Sequence, residues 1–422
     1  LNMSLDKRGE KNGECGWHNI CGGAKWNHDN LEVNLGVSYF NNKFYLTEGG
    51  RTIDLPSNVL QGTLSAEKPL GDFTLESDIT IRHSSGQYNR ENEQAEVHGA
   101  SDAAEMNIAA NWKHRLHDRL SVALGLRLSL YHCGSYNTVR PLPRVSLRGE
   151  IMHDLSVFAS YGRLIQYEKL VEETTASLPA DFRINADRRF KPQETHSFDI
   201  GAEGRIGALG IDYSFGTYYR LIRHAGEFHS SLLNLAGSSY NPLSDYLDGH
   251  GYSCGVSVML MRQFGKFRGR AGYNLGKARL KFDKLGNDYF PAAHDRLHDL
   301  NASLSYEPAM GLTFVASFTH ATGLPYTRTK YGYMIGDNLI CEYYPHNSSR
   351  LPAYNRLDVS ATYKFKKRGR TEHAINISLY NALFNKNILF YYTTYTEDKG
   401  IQNRSSYLET VIPSITYTLT FK

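Results

Sequence analysis

Between Arg356 and Lys422 the sequence alternates apolar and polar residues with a period of two, three times over. Leu357, Val359, Ala361, Tyr363 and Phe365 interleave with Asp358, Ser360, Thr362 and Lys364, and Ile375, Ile377 and Leu379 with Asn376, Ser378 and Tyr380. The last segment sets Val411, Pro413, Ile415, Tyr417, Leu419 and Phe421 against Ile412, Ser414, Thr416, Thr418 and Thr420. A period of two puts the two sets on opposite faces of a strand. Strands with one apolar face, one small polar face and an aromatic beside the chain end are what a transmembrane β-barrel needs.

The same pattern recurs upstream. Leu1, Met3 and Leu5 predict the end of a strand, Trp17 to Trp26 another, and Asn27 to Asn30 a tight turn. Leu31 to Tyr39, Leu60 to Ala66 and Phe73 to Ile81 follow, with loops to about Pro56 and from Ser84 to Asp102. Met106 to Trp112 turns at Arg115 to Asp118 into Leu120 to Leu130; a loop to Pro143 leads to Val145 to Ile151, then the His153-Asp154 turn and Leu155 to Tyr161. A loop to about Glu194, a turn at Ile206 to Leu209 and a loop from Arg223 to Gly251 separate the next strands. Gly265-Lys266 and Glu307 to Gly311 are further turns, and the longest loop spans Thr322 to Tyr354. Short turns rotate with long connections, and every short turn falls on the side of the C-terminus. This is the asymmetry of an up-and-down outer-membrane barrel, whose periplasmic turns are short and extracellular loops long. The count is about eighteen strands, with spans of about ten residues each.

Charge tests the phase. Across the nine clearest strands the apolar phase holds about forty positions, and at 21% charged residues chance would place about eight charges there. It holds none, whereas Arg127, Arg144, Arg148, Glu150, Asp212, Arg220, Asp358 and Lys364 all lie on the other phase. An Arg or Lys facing lipid at mid-membrane costs about 2–4 kcal/mol, and a lumenal one is tolerated. A soluble sandwich also keeps one face uncharged, but seldom needs so many strands with connections in rotation.

Composition excludes other classes. Mean hydropathy is −0.46 and no apolar run approaches the roughly 20 residues of a membrane helix. The 29 Tyr against 19 Phe and 3 Trp suit interfacial girdles, where a ring with a polar tip sits at headgroup level. A net charge of +4 with scattered basic residues gives no nucleic-acid footprint; the densest basic run, Lys364 to Arg370, is a turn. The five cysteines show no zinc spacing; only Cys15 and Cys21 are near enough in sequence to suggest a bridge, and incidental cysteines explain the set as well.

No residues form an evident catalytic set. There is no G-x-S-x-G and no group of side chains with assignable roles, so we expect neither an enzyme nor a cofactor. In His294, Asp295, His298 and Asp299 the histidines and aspartates fall on opposite strand faces, so we expect a solvated loop-to-strand junction and no metal site. Arg223, His224 and His229, with Arg220 and His250, lie in or beside a long loop where an anionic or metal-chelate ligand could be met; Tyr391, Tyr392 and Tyr395 lie in the last loop as rim aromatics. Arg223, His224, His229, Tyr391 and Tyr392 are the ligand-contact candidates.

Several stretches resemble the barrel of TonB-dependent outer-membrane receptors, particularly those of Bacteroidota-type bacteria. They are Pro143 to Leu147 followed by Ala159-Ser160-Tyr161-Gly162, Lys191-Pro192-Gln193-Glu194, Ala271 to Ala278 and Asp295 to Asn301. Thr322 to Thr327, Leu351 to Asp358, Leu379 to Asn387 and Ile412-Pro413-Ser414 complete the series. Their order and spacing over residues 140 to 422 make the match specific. The resemblance implies one transmembrane β-barrel domain over residues 1–422 in a Gram-negative outer membrane, importing a scarce solute such as an iron-siderophore, cobalamin or a glycan. It implies outer-membrane lipid and an extracellular small molecule as partners, and the TonB–ExbB–ExbD system acting through a plug. Neither the plug nor its TonB-contact box is visible here, and a barrel of about 22 strands would need about four more before residue 1. We therefore expect a C-terminal portion of a receptor, the alternative being a plugless passive pore or a surface-binding barrel.

Overall fold

The alternating segments form strands that pair with their sequence neighbours. The computed structural model describes residues 2–5, 11–48, 51–54, 56–70, 73–92, 95–171, 182–228, 246–286, 288–335, 338–365, 371–396, 400–407 and 410–421. The wall opens with β1 (Asn2–Leu5), β2 (Lys11–His28), β3 (Leu31–Glu48), β4 (Ser57–Leu70), β5 (Phe73–Asn92) and β6 (Ala95–His117). It continues through β7 (Leu120–Cys133), β8 (Tyr136–Met152), β9 (Leu155–Gln166), β10 (Gln193–Ile206), β11 (Ile211–Phe228) and β12 (Tyr246–Phe264). β13 (Phe267–Lys281), β14 (His298–Ala309), β15 (Leu312–Ala321), β16 (Tyr354–Lys364), β17 (Thr371–Tyr380) and β18 (Ile412–Phe421) complete it. Among the described residues the sheet holds twenty strands, and these eighteen remain once the short pieces Arg51–Asp54 and Phe290–Pro291 are set aside. Each of the seventeen strands after β1 is antiparallel to the one before it.

Both phases fall where charge requires. Leu124, Leu126 and Leu128 on β7, Phe198 and Ile200 on β10 and Ile415 on β18 project outward and are exposed, Ile200 by 63% and Ile415 by 77%. A soluble protein does not leave so continuous an apolar surface in water. The other phase lines a concave polar lumen, with Ser214, Ser257, Asn274, Asp299, Asn301 and Ser303 around one hollow. Ion pairs cross strands there: Arg127 Nη2 lies 3.4 Å from Asp78, Lys113 pairs with Glu76, and Arg148 with Glu203.

The tight turns predicted at 27–30, 153–154, 206–209 and 265–266 are present. Asp29 and Asn30 take φ of 45° and 64°, the left-handed pair that a two-residue hairpin turn needs and that Asp and Asn tolerate.

The long connections differ from expectation. Ser84 to Asp102 is not a polar loop: the β5–β6 ladder continues from Ser84↔Ala103 to Asn92↔Ala95. The expected loop up to Pro143 is strand as well, with Pro141 opposite Leu128 and Pro143 opposite Leu126, after a turn at Gly134 whose φ is 56°. Proline lacks a ladder donor, and here β8 can spare one: its pairing with β9 stops at Arg144↔Gly162, so above that level only β7 is bonded to it. Pro413 sits likewise on β18, which among the described residues is bonded to β17 alone. Cys15 and Cys21 lie six residues apart on one strand, about 20 Å, which rules out the suggested bridge; Cys21 is a free thiol.

Among the described residues, buried apolar side chains are few and most gather at the outer end. One cluster joins Ala103, Tyr131, Cys133, Tyr167 and Ala186, and a second Ala225, Leu247 and Phe282. A barrel with a wet lumen and lipid outside needs no continuous apolar core.

Leu126→Arg should reduce the folded, heat-modifiable barrel far more than Arg127→Leu, because it places a charge in lipid at about 2–4 kcal/mol. Equal losses on a cold gel would contradict the phase assignment.

Candidate functional site

At the outer end, long connections fold back onto the barrel. The 3₁₀ and short-strand pieces there are held by small apolar clusters, with Tyr167, Ala186 and Phe282 buried, and by polar ties. Between β9 and β10, Glu168–Val171 pairs with Phe182–Asn185 and turns inward over β5 to β7. The Tyr167 ring lies flat on Tyr131 with centroids 4.0 Å apart, and the Tyr131 hydroxyl donates to the Ala186 carbonyl at 2.9 Å. Ser84 Oγ donates to Asn185 Oδ1 at 2.9 Å, and Arg82 pairs with Glu168. These contacts join residues 101 and 86 positions apart, and no local pattern announces them.

The same segment is tied to the opposite side. Lys169, 8% exposed, donates to the His224 carbonyl at 2.8 Å and to the Tyr246 hydroxyl, with its ammonium 4.6 Å from that ring's centre. His224 sits at a β-bulge between Arg223 and Ala225 with φ of 53°, and its imidazole lies 3.0 Å from Asp248. The bulge turns the carbonyl towards Lys169, a service that regular pairing would not provide. Burial lowers the Lys169 ammonium to about 8, against the opposing charge of Asp248. Glu194, between Arg163 at 2.7 Å and Arg140 at 3.6 Å, is also buried. Burial acts to raise its carboxyl, but the Arg163 hydrogen bond and the two guanidinium charges outweigh it and hold it below the usual range.

The expected longest loop, 322–354, carries the hairpin Thr329–Ile335 and Asn338–Tyr343, and the last connection carries Ile388–Thr396 and Gly400–Tyr407. Thr329 and Thr393 hydroxyls, 2.9 Å apart, join the two hairpins, and the Tyr326 and Tyr391 rings lie 5.3 Å apart. Burial, then the neighbouring Tyr391, pushes the Tyr326 hydroxyl up. Arg328 lies over Tyr344 at 5.8 Å and Lys386 over Tyr407 at 5.4 Å, so the rim mixes exposed rings with cations.

The structure separates the sequence candidates. Tyr391 and Tyr392 stand exposed on the last hairpin, joined by Tyr326, which pattern reading missed because Pro325 and Gly323 mark only a loop. Arg223 is exposed on the outward phase of β11, and His224 is engaged at the bulge. His229 lies outside the described residues. Of the junction residues, Asp295 is not solvated: it is 3% exposed, accepts from the Ala278 N–H at 2.6 Å and pairs with Arg350, whose guanidinium also donates to the Asp295 and Gly323 carbonyls. It ties loop 322–354 to β13. His298 meets the Tyr273 hydroxyl at 2.7 Å, and among the described residues no three His, Cys, Asp or Glu side chains could hold a metal.

The stretch Leu379 to Asn387 is a built turn. Asn381 takes φ of 56°, is 1% exposed, and donates from its side chain to the Asn385 and Thr410 carbonyls. Asn385 and Asn387 both donate to the Asn355 carbonyl, at 3.1 and 3.0 Å. Strand β17 therefore stops at Tyr380 and locks onto the start of β16.

A sheet of this kind, oily outside and polar within, is the wall of a transmembrane β-barrel. The family model "TonB dependent receptor-like, beta-barrel" matches residues 17–382, and the chain belongs to this family of Gram-negative outer-membrane proteins. Its fold is similar to the ferric yersiniabactin uptake receptor FyuA of Yersinia pestis, with 12% identity and a TM-score of 0.67 over 99% of this chain and 63% of that one. It is similar too to the ferric-catecholate import receptor Fiu of E. coli K12 (10%, TM-score 0.63, 98% and 65%) and the ferric preacinetobactin receptor BauA of Acinetobacter baumannii (12%, 0.60, 97% and 64%). The chain thus spans less than two thirds of these solved receptors. No curated protein sequence matches it.

Lys169 binds fewer protons folded than unfolded between pH 8 and 10.5, so the fold gains stability as pH rises through that window, on the order of 3 kcal/mol at most. Proteolysis between Glu168 and Asn185 should slow over this range, and Lys169→Met should abolish the trend; parallel trends in both proteins would contradict the assignment. Arg350→Gln, leaving Asp295 buried without its cation, should cost about 3–5 kcal/mol and expose residues 322–354 to protease, with Asp295→Asn restoring most of the protection.

Proposed function

We propose that this barrel is the outer wall of an energy-coupled importer that takes up a scarce extracellular solute. The observation that carries the reading is the outer mouth: loops from distant strands fold inward and are pinned by buried polar contacts, which suits capture of a solute better than free diffusion. The neighbours FyuA, Fiu and BauA are named for ferric chelates, which makes an iron chelate the first ligand class to try. Cobalamin and glycans follow. Tyr391 and Tyr392, with Tyr326, are the proposed ligand contacts: the Tyr326 and Tyr391 rings lie 5.3 Å apart on a rim that also carries Arg328 over Tyr344 and Lys386 over Tyr407, a mixture that suits an anionic, partly aromatic solute.

We further infer that residues 1–422 form one barrel domain completed by strands and a plug outside them. Among the described residues β1 is bonded only to β2 and β18 only to β17, and all ten β18 residues are exposed. An open strand edge is not tolerated in hydrocarbon, where each unpaired backbone group costs several kcal/mol. The plug would receive energy from the TonB–ExbB–ExbD system. The barrel does no covalent chemistry in this reading.

Binding to the purified receptor, tested against ferric chelates, cobalamin and oligosaccharides, should single out one class. Tyr326→Ala with Tyr391→Ala should weaken it about tenfold, near 1.4 kcal/mol. Binding of none of these classes, together with open conductance in planar bilayers, would favour the passive pore instead.

A further inference from the structure

The outward face is uncharged up to a definite height and then turns basic in one sector. On β11 the outward residues Ile211, Tyr213, Phe215, Thr217, Tyr219 and Leu221 carry no charge, and the next is Arg223. On β13 the uncharged phase from Phe267 to Leu275 is followed by Lys277, Arg279 and Lys281. Ten steps on β11 and eight on β13, at about 3.4 Å each and tilted by about 40°, rise about 26 and 21 Å, close to the thickness of a barrel's apolar band. The cations therefore begin where hydrocarbon ends, on the side of the long connections.

Register gathers them. Arg223, His250 and Lys281 stand in one ladder line across β11, β12 and β13; Leu221, Tyr252 and Arg279 form the line below, and Tyr219, Cys254 and Lys277 the next. Lys277 lies 6.0 Å from the Tyr252 ring centre, and Tyr289 packs edge-on against both His250 and Tyr252. Of the nearby acids, Glu194 is taken up by Arg163 and Arg140, and Asp248 by His224. Asp283 and Asp288 make no ion pair with this group, and Arg223, Arg279 and Lys281 have no carboxylate partner among the described residues. The cluster belongs to this sector. On β5 to β8 one outward line beside the extracellular end reads His83, Ala104, His132 and Asn137, without Lys or Arg.

We propose that this patch docks the phosphate of an outer-leaflet lipid headgroup. Below it, Phe215, Leu221 and Leu275 offer apolar surface to acyl chains. At headgroup level Tyr252 and Tyr289 supply rings with polar tips, and above them unneutralised guanidinium and ammonium groups converge from two strands. A lumenal solute cannot reach these side chains, which face away from the channel. The proposal rests on the outer-membrane placement of the barrel and not on what the barrel imports, so the two can fail separately.

The test compares binding of diphosphorylated lipid A, its dephosphorylated counterpart and inorganic phosphate to the delipidated receptor in detergent. The wild-type protein should hold the diphosphorylated lipid at least tenfold more tightly than the dephosphorylated one, with millimolar phosphate a poor competitor. The triple variant Arg223→Gln, Arg279→Gln, Lys281→Gln should lose that preference, and lumenal Arg270→Gln should keep it. Equal binding of both lipids, or an unchanged preference in the triple variant, would overturn the proposal, as would competition by phosphate equal to that of the lipid. If the triple variant does not assemble, salt decides on the wild type: a preference that disappears by 0.5 M salt supports the site, and one indifferent to salt overturns it.

Discussion

Hydrocarbon offers no partner to a peptide group, so every backbone N–H and C=O at membrane depth must be bonded within the protein. Each of the sixteen strands between β1 and β18 satisfies this by lying between two antiparallel neighbours. The period of two then follows: one set of side chains must suit lipid, and the other is free to be polar. Lumenal pairs such as Arg127 with Asp78 exist because that freedom allows charge where water reaches it.

Outside the membrane the constraint changes. The outer connections bury only small apolar clusters, such as Tyr167 with Ala186 and Phe282 with Ala225, and polar ties between residues far apart in sequence complete their order. Lys169 on the His224 carbonyl and Asp295 under Arg350 are the clearest cases. Such ties hold only while each group has its partner, because a buried charge left alone is costly. The mouth is thereby fixed by polar ties together with small apolar clusters, and the wall by hydrogen-bond ladders and lipid.

Where the sequence misled, the cause was local. Pro141 and Pro143 mimic a loop, yet β8 is a one-sided edge at that height and spares their missing donors. Ser84 to Asp102 reads as a loop because its sequence is almost wholly polar, yet its backbone continues the β5–β6 ladder. Asp295 looked solvated because its partner Arg350 lies 55 residues away. Of the candidate contacts, Tyr391 and Tyr392 were legible as rim aromatics; their neighbour Tyr326 was not, since only folding brings it within 5.3 Å.

Alternation alone determined that this chain is a membrane-spanning antiparallel sheet, which side of each strand meets lipid, and where the short turns fall. Those properties depend on residues two apart, and lipid punishes any error in them. Tertiary structure alone decided which loops fold inward, which acids are buried, and that cations from β11 and β13 meet above one sector of the bilayer. These depend on register between strands and on pairs separated by tens of residues, where no local periodicity exists to be read.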